Sequence, residues 1–411
     1  MKFIGKRAAL LLALGISAAG IAACGSDDEP SSTQASTPAK STITTKGNPA
    51  TGSALVLGVV AMDDQPEYTD GVQAAVKYLN KEAGGLLGHR IELRSCSSDA
   101  SPQQDIKCAN ELVRGHAIAV VLGEDRSADS AFPIYERAHV PVITPRVVTN
   151  QELVNPMAVA LGPGIPAVLA GLADYVRAKL HGDTAVTAVA QGIPQGLLDQ
   201  LVGGPLKAAG IKSEYVFFSH QSPNFNSTFA AAAQKKPDVL IADIDDNPDC
   251  IPAMNALKAV GASFKVFQIL CSDDTVVKAA GPLAEGQLFY GPVDSVAGVD
   301  SPDARTFRHI VETYSAKKST GFNTSLAVSA VMTLARVLKK QGGNDVTADS
   351  ILGAFKDSKG LSIFMGPPLT CGIAKPFPAL CTLAMRIFTV EGGRKKPLTG
   401  YVSAPQYLGG G

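Results

Sequence analysis

The sequence predicts an α/β protein of two doubly wound parallel-sheet lobes joined by crossover hinge segments. Apolar runs of strand length alternate with segments of helical periodicity, a pattern that pairs strands in parallel and covers both faces of the sheet with helices. The alternation restarts after a long helix-like stretch, Pro166 to Leu180, which makes a second unit of the same kind. Residues 53–411 also exceed the length at which a single hydrophobic core stops growing, so two lobes are the default.

The first element is a signal. Lys2, Lys6 and Arg7 precede an apolar run, Ala8 to Ala23, that is too short to span a bilayer comfortably and ends on small residues before a cysteine. "IAAC" resembles the lipobox of bacterial lipoproteins, which implies a diacylglyceryl group on Cys24 and a mature chain starting there. The alternatives are an ordinary signal with a spare cysteine, or a short membrane anchor. Residues 24–52 contain one large apolar side chain, Ile43, among Ser, Thr, Pro, Gly and charge, and cannot bury enough surface to fold. They are expected to be a tether.

"SALVLGVVAM" then reads as a buried strand and "DGVQAAVKYLNKEAGG" as a helix through Val72, Ala75, Val76 and Leu79, ending at Gly84. "HRIELRSC", "AIAVVLG" and "VPVITP" are further strands, with helices at "SPQQDIKCANELVRG" and "SADSAFPIYERA". From 184 to 281 the rhythm repeats through the strands "TAVTAVAQG", "SEYVFFS", "PDVLIADID" and "FKVFQIL". "DARTFRHIVETYSAKK" and "SLAVSAVMTLARVLKKQGG" follow as helices, and "LAMRIFTV" as a late strand. The expected division is lobe 1 over 53–162 with about 291–345, and lobe 2 over 163–290 with about 346–400.

Removal of the signal leaves 34 basic against 37 acidic residues, with no basic run carrying interleaved aromatics and no Trp, so a nucleic-acid partner is not expected. No G-x-S-x-G, H-E-x-x-H or Walker loop occurs, and the six histidines are scattered singletons. An enzyme is not expected, nor a cofactor or a metal: "GPGIPAVLAGLA" lacks the dinucleotide fingerprint, and "ADIDDNPD" lacks the glycine placement and final glutamate of a calcium loop.

"LGVVAM", a helix leading into "LNKEAGGLLGHRIEL", then "CANELV", "AVVLG", "VPVITP" and "KKPDVLIADI" together resemble the extracytoplasmic solute-binding proteins of ABC transporters, in particular the leucine/isoleucine/valine-binding, or type I periplasmic binding protein, family. The resemblance runs from 53 to about 395. It implies a hinged, two-lobed receptor for an amino acid or similar small polar organic acid, serving an ABC permease while tethered to the cell membrane by its lipid. A monomer is expected. A ligand sensor that signals to a membrane partner is the alternative.

Six cysteines remain for an oxidising compartment, and no C-x-x-C or paired histidine favours a metal site. Fifteen pairings are open. The simplest joins neighbours: Cys96 with Cys108, Cys250 with Cys271, and Cys371 with Cys381. Each closed loop would contribute about 3 kcal/mol in the chain-entropy model.

Ligands of open α/β sheets bind beyond the carboxyl ends of the strands. In lobe 1 this selects Asp63, Asp64 and Tyr68 after the first strand, the loop to Ser127 after "AVVLG", and Thr144, Arg146 and Thr149 after "VPVI". In the resembled family, hydroxyls and helix-start N–H groups at the last two places hold the ligand's α-carboxylate; Ser127 and Thr149 match by position. Both could equally be helix caps. Arg146 stands where the family generally has a small residue, and could grip a carboxylate or pair with an acid. In lobe 2 the candidates are Asp245, Asp246, Ser272 and Asp273, with Asp246 and Asp273 as rival partners for an ammonium group. Its first loop, "QGIPQG", lacks the aromatic residue that many relatives place there.

Overall fold

The computed structural model describes residues 47–408 except 220, 245–246, 262–263 and 344. The expected signal, Cys24, most of the expected tether, and the candidates Asp245 and Asp246 lie outside the described residues.

Two sheets carry the fold. The first is all parallel, built from β1 (Gly52–Met62), β2 (His89–Ser98), β3 (Ala117–Leu122), β4 (Val142–Thr144) and β5 (Ala158–Ala160), in the order β2-β1-β3-β4-β5. The second repeats that order with β6 (Thr184–Ala190), β7 (Lys212–Phe218), β8 (Val239–Ala242), β9 (Lys265–Gln268) and β10 (Leu288–Gly291) as β7-β6-β8-β9-β10. A short antiparallel hairpin, β11 (Lys359–Ser362) and β12 (Pro368–Thr370), follows later in the chain. The second sheet is then extended by antiparallel β13 (Arg386–Glu391) and β14 (Arg394–Pro397). Strands such as Val239–Ala242 are buried along their whole length, as continuous apolar runs in helix-covered parallel sheets must be.

The chain crosses between the lobes three times. It leaves β5 for the helix Gly164–Tyr175 and β6, returns after β10 to the helices Pro302–Tyr314 and Phe322–Gln341, and crosses again to β13. Both returning helices pack on Pro66–Glu82 in lobe 1. Their approach depends on Gly71, where a Cβ would come within 2.9 Å of the Ala327 methyl.

The folded body begins before residue 53. Asn48 donates its N–H to Glu82 O (3.1 Å) and Ala50 to Asn80 O (2.8 Å), so the last residues assigned to the tether are docked against the first helix. β5 and its partner were also not foreseen. Ala160 N–H donates to Ala379 O (3.0 Å) and Cys381 N–H to Ala160 O (2.9 Å), so a segment about 220 residues downstream covers the edge of the first sheet. The disulfides join neighbours: Cys96 to Cys108, Cys250 to Cys271 and Cys371 to Cys381. Among the described residues no helix is long and apolar enough to cross a membrane.

Candidate functional site

A cleft of about 770 Å³ opens between the carboxyl ends of the two sheets. Lobe 1 contributes Asp64, Gln65 and Glu67 after β1, Glu124 and Arg126 after β3, and Arg146 after β4. Lobe 2 faces them with Gln221, Asp249, Leu270 and Asp273, and the start of the helix Phe322–Gln341 closes one side with Phe322 and Asn323.

Arg146 is the anchor of the lobe 1 wall. Its Nη1 is ion-paired to Glu124 Oε2, both side chains are mostly buried, and its guanidinium lies 5.6 Å from the centre of the Phe322 ring. Glu124 also accepts from Gln65 Nε2 (3.2 Å) and faces Arg126 Nη2 at 3.6 Å. A carboxylate between two guanidinium groups holds both arginines in the wall, and Arg146 keeps further N–H donors, since a guanidinium carries five. Arg146 thus pairs with an acid, but with a mostly buried one in the cleft wall rather than at the solvent surface.

The loop that carries Arg146 is held from beneath by Glu152. This fully buried carboxyl accepts from Thr144 Oγ1 (2.5 Å) and from the N–H groups of Val148 (2.8 Å) and Thr149 (2.7 Å). Burial pushes it up to about 7, against the opposing pull of those hydrogen bonds. Thr144 and Thr149 thus belong to the support rather than the wall. Thr144 is fully buried, and Thr149 is the N-cap of the helix Asn150–Val154, in a capping box with Glu152.

Three other lobe 1 candidates also point away from the cleft. Tyr68 is buried and donates to Leu122 O (2.9 Å). In the first turn of the helix Pro66–Glu82 its ring contributes a large buried apolar area to the core. Asp63 is exposed and accepts from Ser97 Oγ, while its neighbour Asp64 lines the cavity. Ser127 spends its hydroxyl on Asp105 and on Asp125 Oδ1 (3.0 Å).

In lobe 2 Asp273 reaches the cleft. It caps the helix Asp274–Ala280 through Thr275 N–H (2.8 Å) and accepts from Phe322 N–H through its other oxygen (3.0 Å), tying lobe 2 to the helix that returns to lobe 1. Ser272 is fully buried, and its hydroxyl has no hydrogen-bond partner among the described residues. The bond between Cys250 and Cys271 joins the first turn of the helix Asn247–Ala259, which carries Asp249, to the loop after β9 that carries Leu270 and Asp273.

Glu124, Gln65 and Phe322 were not singled out from the sequence. Glu124 and Gln65 sit in the loops that topology indicated; Phe322 comes from a helix whose only local mark is an aromatic residue after Gly321.

A family model described as periplasmic binding protein matches residues 56–387. The chain belongs to the periplasmic binding protein family. This is a family of non-enzymatic solute-binding proteins that work outside the cytoplasm, and the two lobes with a cleft at the strand ends are its architecture. No curated protein matches the chain. Among solved structures, a leucine-binding protein of Thermotoga maritima is similar at 17% identity and a TM-score of 0.67, covering 85% of this chain and 98% of its own. A solute-binding protein of an ABC transporter from R. palustris, in complex with 4-hydroxybenzoate, is 16% identical with a TM-score of 0.70, over 86% and 98%. A fatty acid ABC transporter substrate-binding protein from Thermomonospora curvata is 14% identical with a TM-score of 0.71, over 88% and 96%. At such identities the shared feature is the fold.

Proposed function

We propose that this periplasmic binding protein captures an amino acid or a similar small polar organic acid in the cleft, closes its lobes over it, and presents the closed form to an ABC permease. The supporting observation is that Arg146 and Asp273 line one cavity from opposite lobes. A ligand bearing a carboxylate would meet the remaining donors of Arg146, and an ammonium group would meet Asp273 or Asp64, so that binding draws the lobes together. The alkyl or aromatic body of the solute would lie against Phe322 and Leu270. On this reading the protein acts as a monomer and is held at the cell membrane by a lipid on Cys24.

Thermal-shift screening with L-leucine, L-isoleucine and 4-hydroxybenzoate, followed by calorimetry, tests the proposal. A solute at a hundredfold excess over its Kd should add about 2.7 kcal/mol of stability. Arg146→Ala should cost about 2 kcal/mol of its affinity. Unchanged affinity would remove Arg146 from the ligand's contacts, and failure of amino acids and organic acids as a class would sink the proposal. Cys24→Ala should release the protein from the membrane fraction; unchanged partitioning would exclude the lipid anchor.

A further inference from the structure

Behind the cleft wall lies a second carboxylate pair that the binding reading does not use. Asp105, on the helix Pro102–Arg114, and Asp125, in the loop after β3, are 2% and 1% exposed, and one hydroxyl, that of Ser127, reaches both carboxyl groups. The protons available to them are few. Ser98 Oγ donates to Asp105 Oδ1 (2.6 Å), and Ser127 N–H donates to Asp125 Oδ1 (3.0 Å). The single Ser127 hydroxyl proton stands between Asp105 Oδ2 and Asp125 Oδ1. Asp125 Oδ2 is buried with no hydrogen-bond donor among the described residues. Ionising both of two buried carboxylates that share one hydroxyl donor is costly, and an orphaned buried acceptor costs free energy unless a proton reaches it.

We propose that Asp105 and Asp125 share one proton, and that this proton sets the position of the loop presenting Glu124 and Arg126 to the cleft. The sequence makes the coupling direct, because Asp125 stands between those two residues. With the proton in place, an O–H···O bond joins the loop to the helix Pro102–Arg114. When it leaves, two buried anions repel, and the chain segment free to yield is the loop rather than the helix.

The groups acting on Asp105 fit this account. Burial raises it most, the Ser127 and Ser98 hydroxyls lower it, and Asp125 raises it again, to about 6; none of these groups is basic. Tyr135, from the helix Phe132–Arg137, faces both carboxyls and is itself pushed up by burial and by their charge. Beside the pair is a cavity of about 10 Å³ lined by Val60, Leu122, Phe132 and Tyr135, an apolar setting that disfavours a second charge. By linkage, a loop that responds to a proton makes the affinity of the cleft respond as well.

This inference takes the cleft to be the binding site, but its test needs no ligand. In wild-type protein labelled with ¹³C at the aspartate carboxyls, the resonance lost in Asp105→Asn should titrate near pH 6, and the amide signals of Glu124 and Arg126 should move with the same midpoint. In Asp125→Asn, which removes the like charge and supplies an N–H donor, the Asp105 midpoint should fall towards ordinary carboxylate values and the two amides should stop responding. An ordinary midpoint in the wild type overturns the shared proton. Flat Glu124 and Arg126 amides from about pH 5 to about pH 7.5 overturn the coupling. The wild-type titration decides both even if a variant does not fold. Neither result depends on calorimetry of the cleft, so the ligand reading stands or falls separately.

Discussion

The two walls of the cleft occupy equivalent places in two sheets of the same strand order, yet they are fixed by different chemistry. The lobe 1 wall is held by charge: Glu124 between two arginines, with Glu152 and the Asp105–Asp125 pair beneath the loops. The lobe 2 wall is held by a covalent bond, Cys250 to Cys271, and by the capping bonds of Asp273. A wall held by buried carboxyls answers to pH, whereas a wall held by a disulfide answers to reduction.

The largest effect should come from Glu124→Ala. It strands Arg146, whose side chain is only 14% exposed, and loss of one member of a buried pair costs about 3 to 5 kcal/mol. Urea unfolding measures this, and a loss under about 1 kcal/mol would mean that the lobe 1 wall is not held by charge.

Next is the pH response of Glu152. Its folded value is raised from 4.5 to about 7, so the folded state holds this proton more tightly than the unfolded chain. The stabilisation is complete below 4.5 and is lost as pH rises through about 7, a change of about 3 kcal/mol. Glu152→Gln should abolish this component, so the stability difference between wild type and variant should narrow or reverse across that window. A constant difference would show that Glu152 does not titrate there.

Opening the lobe 2 clamp with Cys250→Ser and Cys271→Ser together should cost about 3 kcal/mol, from the loop-closure entropy of a 21-residue separation. Because the bond joins a helix start and a loop that both line the cleft, the affinity for any bound solute should fall as well. Removing the Cys96–Cys108 bond, which joins β2 to its following helix in lobe 1, should cost similar stability with less effect on affinity. Equal losses of affinity would erase the contrast between the walls.

The smallest effect belongs to Asp273→Asn. Asparagine still caps a helix, so stability should change by a few tenths of a kcal/mol. The contact to Phe322 N–H would lose its charge, and a ligand's ammonium would lose a partner. An affinity loss well above the stability loss would place Asp273 in ligand binding; matched losses would make it a hinge tie only.

The sequence by itself determined the class of fold, because apolar runs and helical periods are local and their alternation admits few arrangements. It also located the loops of the site, since strand ends follow from strand positions, and Arg146 and Asp273 were both found that way. It could not say which side chain on a loop faces the cleft. Ser127, Thr144 and Thr149 are plausible ligand hydroxyls by position, but their roles depend on Asp105 and Glu152, buried acids whose placement is set by packing. Tyr68 reads as a rim residue until the core of lobe 1 claims its ring. Phe322 joins the site only because the chain returns to lobe 1 after β10, and β5 is completed by residues 379–381 from the other side of that crossing. Such contacts join residues far apart in the chain. Their energy comes from burial and shared protons in three dimensions, which leave no period in the sequence, and so the tertiary structure alone decided them.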